Sequence, residues 1–215
     1  MKKFLVFIVC IGALYYFKPS LFDFSSGAFD ESGSPRVLLF TFRQCGQWCD
    51  KAIQELERRK VDYEEIDIQK SQANESLYNS MGRGGMPYLV VGKSKLVGFN
   101  KERYATTLAQ NLGEQPLTYR ERRYYRNHFY DDGSPMIYMY GASWCPYCKK
   151  MREEFNQRNL DFVELDVERS DDPGLLANTM GIGGYPTVFV GYTRIERGTD
   201  INAIIKATKT AINRQ

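Results

Sequence analysis

Apolar and polar positions along the chain run through the same succession twice. Hydrophobic runs at 37–42 (VLLFTF) and 136–140 (MIYMY) are each followed by a close pair of Cys and then by apolar positions at helical spacing, 49–59 and 148–158. Alternating stretches come next, YEEIDI at 63–68 and FVELDV at 162–167, and these predict short strands. A polar helical pattern then ends near Met81 and Met180. Gly-Gly-x-Pro leads into PYLVV at 87–91 and PTVFV at 186–190, and Gly92 and Gly191 turn the chain into a last short strand. A final helical pattern closes each stretch, 101–112 and 200–213. The order β-α-β-α-β-β-α is thus predicted twice, with one parallel and one antiparallel strand pairing around each first strand.

The repetition extends to identity. Residues 49–92 and 148–191 align without gaps at an offset of 99, with matches that include Cys49/Cys148, Glu55/Glu154, Arg59/Arg158, Glu65/Glu164, Met81/Met180, Pro87/Pro186 and Gly92/Gly191. The chain reads as a tandem duplication. The expected organisation is a hydrophobic segment at 1–22, a Ser/Gly/Asp-rich tether at 23–35, a first unit at 36–112, a connecting segment at 113–134 and a second unit at 135–215. The connecting segment mixes four Arg and four acids with several Tyr. It reads as a linker packed against one unit through its aromatics, and a partner-docking segment is the alternative.

At the start, Lys2-Lys3 precede fourteen uncharged residues, 4–17, closed by Lys18-Pro19. This pattern suits a signal-peptide core or an uncleaved anchor, and either one places the rest of the chain on the exported side of a membrane. The run is short of the ~20 residues of a full span. Cys10 inside it reads as apolar filler. The net charge of +3 comes from Lys2, Lys3 and Lys18, so the remainder is neutral and no nucleic-acid partner is expected. The other composition figures, 43% hydrophobic and 26% charged residues over a length of 215, describe an ordinary globular protein.

The chemistry concentrates at Cys145-Pro146-Tyr147-Cys148. The strand 136–140 ends just before it, and Pro146 suits the first position of a helix. Cys145 then lies at a helix N-terminus, where unpaired N–H groups and the dipole stabilise a thiolate. Cys148 is one turn on, placed to attack a mixed disulfide on Cys145. A zinc half-site is the competing reading, but the second unit has no other Cys and no His, so no metal site is expected. Tyr185-Pro186, after Gly183-Gly184, suits a cis peptide whose exposed backbone could pair with a bound peptide. In the first unit the pair is Cys45-Gly46-Gln47-Trp48-Cys49. Either an extra residue is inserted and Cys45 matches Cys145, or Gly46 stands in the nucleophile's place. A structural or slowly regulated disulfide, a second redox pair and free thiols are its three readings, in that order.

The repeated element order, Trp144-Cys145-Pro146-Tyr147-Cys148 and Tyr185-Pro186 resemble glutaredoxins of the thioredoxin superfamily, over about 36–112 and 135–213. The resemblance implies an α/β fold of two thioredoxin-fold units, each a mixed four-stranded sheet with flanking helices. It implies dithiol–disulfide exchange, with Cys145 as nucleophile, Cys148 as resolving thiol, and Tyr147, Tyr185, Pro186 and Asp200 as substrate-binding residues. No bound cofactor is implied; glutathione is a candidate co-substrate. Two departures stand out. No Lys precedes the motif in Tyr140-Gly141-Ala142-Ser143-Trp144, and Glu196-Arg197 break the Gly pair expected before Asp200. A protein disulfide or dithiol therefore stands beside glutathione as partner. The expected protein is an exported or membrane-tethered, extracytoplasmic oxidoreductase. A redox-sensing or client-binding adaptor and a cytosol-facing glutathione-dependent reductase are the alternatives.

Overall fold

A computed structural model of the chain describes residues 27–212. The hydrophobic segment read as signal or anchor lies outside them. Among the described residues no helix is long and apolar enough to cross a membrane.

Two four-stranded sheets form, each with the predicted order of elements. The first comprises β1 (Val37–Thr41), α1 (Gln47–Arg58), β2 (Glu64–Asp67), α2 (Gln72–Ser80), β3 (Tyr88–Val91), β4 (Ser94–Val97) and α3 (Lys101–Leu112). A short helix, α4 (Tyr119–Tyr125), connects to β5 (Ile137–Gly141), α5 (Pro146–Gln157), β6 (Phe162–Asp166), α6 (Pro173–Met180), β7 (Thr187–Val190), β8 (Thr193–Arg194) and α7 (Ile201–Ile212). The strand orders are β2-β1-β3-β4 and β6-β5-β7-β8, with only the first pairing of each parallel.

The central strands are continuous apolar runs because both of their faces are covered. In the first unit Val37, Leu39, Leu89 and Val91 pack with Leu56 of α1 and Tyr104 and Leu108 of α3. Leu38, Phe40, Tyr88 and Val90 face the other way, toward Met81. In the second unit Ile137, Met139, Val188 and Val190 pack with Met151, Phe155 and Ile204, and both Cys of the motif join this cluster.

The strand registers decide between the two alignments of the Cys pairs. Phe40 lies opposite Ile66, and Tyr140 lies opposite Leu165. The first strands therefore correspond at an offset of 100 and the second strands at 99. Cys45 N–H donates to Phe42 O at 2.9 Å, as Cys145 N–H donates to Ala142 O at 3.1 Å. The extra residue thus falls between Cys45 and Cys49, and Cys45 stands where Cys145 stands.

Two expectations need correction. The stretch 27–35 is no free tether. Ala28 is buried, its N–H donates to Gly92 O at 2.8 Å, and Phe29 bridges to Pro35. The same loop recurs at Phe129, which bridges to Pro135. The pair FDESGSP and FYDDGSP repeats at the offset of 100, so the duplication begins earlier than hydrophobic patterning shows. Asp30 and Asp132 close these loops by accepting from Ser34 N–H and Ser134 N–H, and Gly33 and Gly133 take φ of 83° and 80°.

The connecting segment packs on both units rather than on one. Thr118 and Glu121 form a capping box that starts α4. Glu121 then takes two hydrogen bonds of 2.8 Å from Arg59, the residue just after α1, and Arg59 also reaches Pro116 O and Glu55. On the other side Tyr125 packs with Tyr138, Tyr140 and Phe189 of the second sheet, together with Ala105 and Ala109 of α3. Helix α3 therefore serves both cores.

Candidate active site

Helix α5 begins as the sequence predicts. Pro146 occupies its first turn and Cys145 is the N-cap residue, whose sulfur accepts from Cys148 N–H at 3.1 Å. A helix N-terminus leaves such donors unpaired, and here one of them points at sulfur. Cys145 and Cys148 are joined as a disulfide with Cα atoms 5.3 Å apart. Cys148 is 0% exposed and Cys145 3%, so both residues of the oxidised pair are buried.

Exposed aromatic side chains surround this point. Trp144 is 66% exposed and Tyr147 63%, values that a core residue would not show. Tyr185 lies beside Trp144, ring centres 6.1 Å apart, and also packs against the cluster that holds both Cys. Trp144 Nε1–H donates to Glu168 Oε2 at 2.8 Å, which fixes the indole. Burial, and then the Glu168 and Asp166 carboxylates, push the Tyr185 hydroxyl pKa up, so it is a neutral hydrogen-bond donor.

The Tyr185-Pro186 peptide is cis, as is Met86-Pro87 in the first unit. Gly198 packs directly on it: a Cβ at Gly198 would lie 2.0 Å from Pro186 O, so no other residue fits there. Asp200, two residues on, accepts from Ala203 N–H at 3.0 Å and caps α7. It lines a groove with Arg194, Arg197 and Lys206. The structure therefore brings Cys145, Cys148 and Tyr185 into one cluster with Pro186 adjoining and Tyr147 on the first turn of α5, whereas the bond shown for Asp200 is to its own helix.

Three features escaped the sequence. In the sequence Trp144 stands out only as part of a motif, and its partner Glu168 lies 24 residues away with no local signal. Arg152 of α5 donates to both oxygens of Glu164 on β6, at 2.7 and 2.9 Å. A Cβ on Gly141 would meet Glu164 Oε1 at 2.6 Å and Cys148 Sγ at 3.2 Å. Glu164 matches Glu65 in the first unit, so the repeat hides it; the differences from the first copy are Gly141 for Thr41 and Arg152 for Ile53.

The first unit's Cys pair has another geometry. Cys45 ends a 3-10 turn, and the inserted residue leaves Gly46 as the N-cap of α1, with φ 55° and no side-chain cap. Cys49 N–H donates to Gly46 O at 3.0 Å instead of to sulfur. Cys45 and Cys49 are disulfide-bonded, with Cα atoms 5.6 Å apart. Trp48 is exposed beside them, with Lys51 Nζ 4.7 Å from its ring centre.

Comparison with known proteins identifies the family. The family model described as glutaredoxin matches the chain twice, at residues 37–96 and 136–195. A glutaredoxin of Pseudomonas aeruginosa is 26% identical over 76 residues, covering 35% of this chain and 90% of that protein. Among solved structures, a wheat glutaredoxin is 22% identical over 36% of this chain and 83% of its own, with a TM-score of 0.31. The holo form of glutaredoxin C1 from Populus tremula × tremuloides is 17% identical over 43% of this chain and 98% of its own, with a TM-score of 0.34. The two family matches together span more than half of the chain, one in each sheet-bearing unit, and so the chain belongs to the glutaredoxin family of thiol–disulfide oxidoreductases.

Proposed function

We propose that the second unit performs dithiol–disulfide exchange through Cys145 and Cys148, on the exported side of a membrane to which residues 1–22 direct or anchor the chain. The observation that carries the exchange reading is the hydrogen bond from Cys148 N–H to Cys145 Sγ at the start of α5. On reduction that donor and the helix N-terminus favour the thiolate on Cys145, the nucleophilic form. Cys145 attacks the substrate disulfide, and Cys148 resolves the mixed disulfide. The reading of export rests on Lys2-Lys3 followed by an uncharged run.

The proposed substrate is a protein disulfide, with glutathione as a second partner; no bound cofactor is required. Trp144, Tyr147 and Tyr185 offer aromatic surface and hydrogen bonds to a polypeptide, and the backbone of Tyr185 beside Pro186 is the proposed pairing edge. Asp200 would meet an amine only at its free carboxylate oxygen. No Lys precedes Cys145 to hold a glutathione carboxylate, which favours the larger substrate. Cys45–Cys49 is proposed as a fixed disulfide of a supporting unit.

The test is to equilibrate the full chain with glutathione redox buffers and trap free thiols. Cys145 and Cys148 should titrate as one reversible two-electron couple, and Cys145→Ser should abolish reduction of a disulfide-bonded protein substrate. Cys45→Ser/Cys49→Ser should retain most of that activity. Absence of a reversible couple at Cys145/Cys148 would defeat the enzyme reading and favour the adaptor.

A further inference from the structure

We infer that Glu164 is the proton acceptor for Cys148 in the resolving step, a role that rests on the exchange reading of Cys145 and Cys148 given above. Cys148 is wholly buried, so its thiol must give up a proton without direct access to bulk water. The carboxylate of Glu164 is the acidic group placed across the gap from it. With no side chain at Gly141, Oε1 of Glu164 and the Cys148 sulfur both border the space a Cβ would fill, 2.6 and 3.2 Å from it, so they are no farther apart than those two distances together. That gap is closable by a rotamer shift or by one bridging water. Arg152 holds both carboxylate oxygens from the same helix that carries Cys148 and so fixes their direction. The side chain of Glu164 is 20% exposed, which leaves it a route to exchange its proton with solvent. The other charged group along this strand, Asp166, is turned to Ser143 N–H and Arg169.

The first unit supplies an internal contrast. Its matching carboxylate, Glu65, accepts from Thr41 Oγ1 at 2.9 Å. Thr41 stands at the position of Gly141 and fills the gap, and Ile53 stands at the position of Arg152. The unit whose Cys45 sulfur lacks the N-cap hydrogen bond also lacks the open gap and the orienting cation. These are separate substitutions on β1 and α1, and both fall on the surroundings of the same carboxylate.

The step balances as follows. The Cys145 thiolate attacks the substrate disulfide, forming a mixed disulfide and releasing one substrate sulfur as thiolate. Cys148 passes its proton to Glu164, and its thiolate attacks Cys145 Sγ. The Cys145–Cys148 bond forms, the mixed disulfide breaks, and the second substrate sulfur leaves and takes up the proton. Two electrons pass from the dithiol to the substrate.

The test uses the reduced full chain and an aromatic disulfide whose released thiolate is coloured, followed by stopped flow. The first release reports attack by Cys145; the slower release, lost in Cys148→Ser, reports resolution. Glu164→Gln should slow the second release about 10- to 100-fold and leave the first unchanged. Formate added to Glu164→Ala should restore part of the rate. Resolution in the native chain should also stay fast at about pH 6, where an unassisted thiol would slow in proportion to hydroxide; this readout needs no variant to fold. An unchanged second release in Glu164→Gln, an equal slowing of both releases, or a hydroxide-proportional rate in the native chain would overturn the role of Glu164. Failure of the first release would instead overturn the exchange reading on which it stands.

Discussion

Single side chains in this molecule are tuned by what buries them, and His128 is the sharpest case. It is fully buried, donates through Nδ1 to Gly191 O at 3.0 Å, and accepts at Nε2 from the Tyr140 hydroxyl at 2.8 Å. Burial pulls its pKa down from 6.5 to about 4, against the smaller upward pull of the Gly191 carbonyl. The unfolded chain therefore binds a proton that the folded chain refuses between those values. Stability should be intact above pH 6.5 and fall by roughly 3 kcal/mol as the pH drops to 4. Denaturant unfolding across that range measures it, and His128→Gln should flatten the slope. Tyr104 offers a second case. Its hydroxyl is buried without a hydrogen-bond partner among the described residues, and its ring packs edge-on to Phe99. Tyr104→Phe keeps the ring and removes the unsatisfied oxygen, so it should leave stability unchanged or raise it by about 1 kcal/mol, read from the denaturant midpoint. Neither residue announces itself in the sequence. His128 sits in a connecting segment whose aromatics read as packing on one unit, with nothing local that singles out the imidazole, and its burial depends on the second sheet reaching it across 63 residues at Gly191.

Among the elements, the start of α1 and the start of α5 show how little separates two uses of one helix. Pro146 and Cys145 are a local signal, and the sequence reveals the N-cap because capping depends on neighbours only. The opposite case is the alignment of Cys45. Local reading leaves two registers open, and only strand pairing, Phe40 to Ile66 against Tyr140 to Leu165, decides between them. Replacing Gly46-Gln47-Trp48 by Pro-Tyr should carry Cys45 onto the helix N-terminus. The altered pair should then become reducible in glutathione buffers that leave the native Cys45–Cys49 disulfide intact, as thiol trapping would report. Both loops at the head of the units lie beyond hydrophobic patterning for a related reason. Their closure through Asp30 and Asp132 leaves no hydrophobic period to follow, although the repeat itself, FDESGSP and FYDDGSP, is legible by alignment.

Across the whole molecule, the two units are held as one body by a connecting segment that touches both. Arg59 and Glu121 are buried, as is Glu55 beside them. Burial alone would raise the Glu121 pKa, but the Arg59 hydrogen bonds and charge outweigh it and hold the carboxyl below its ordinary range. The contribution is present while Glu121 is ionised and is lost on acidification, the same sense as His128. Glu121→Ala strands the Arg59 guanidinium in the interior. It should cost about 3–5 kcal/mol, or roughly 10 °C in the calorimetric melting point. The counterpart pair in the second unit, Arg158 and Glu154, has no such cover and stays at the surface. Identity between copies at these positions therefore does not predict their roles, because among the described residues no helix packs over Arg158 as α4 packs over Arg59.

The residue between Cys45 and Cys49 has a consequence for ancestry. A single added codon moves one cysteine off a helix end, yet every strand of the unit keeps its partners. On the proposed reading of the first unit as a support, a duplicated gene can thus give up one copy's helix-end cysteine while selection on the packing that the other copy leans on stays in force.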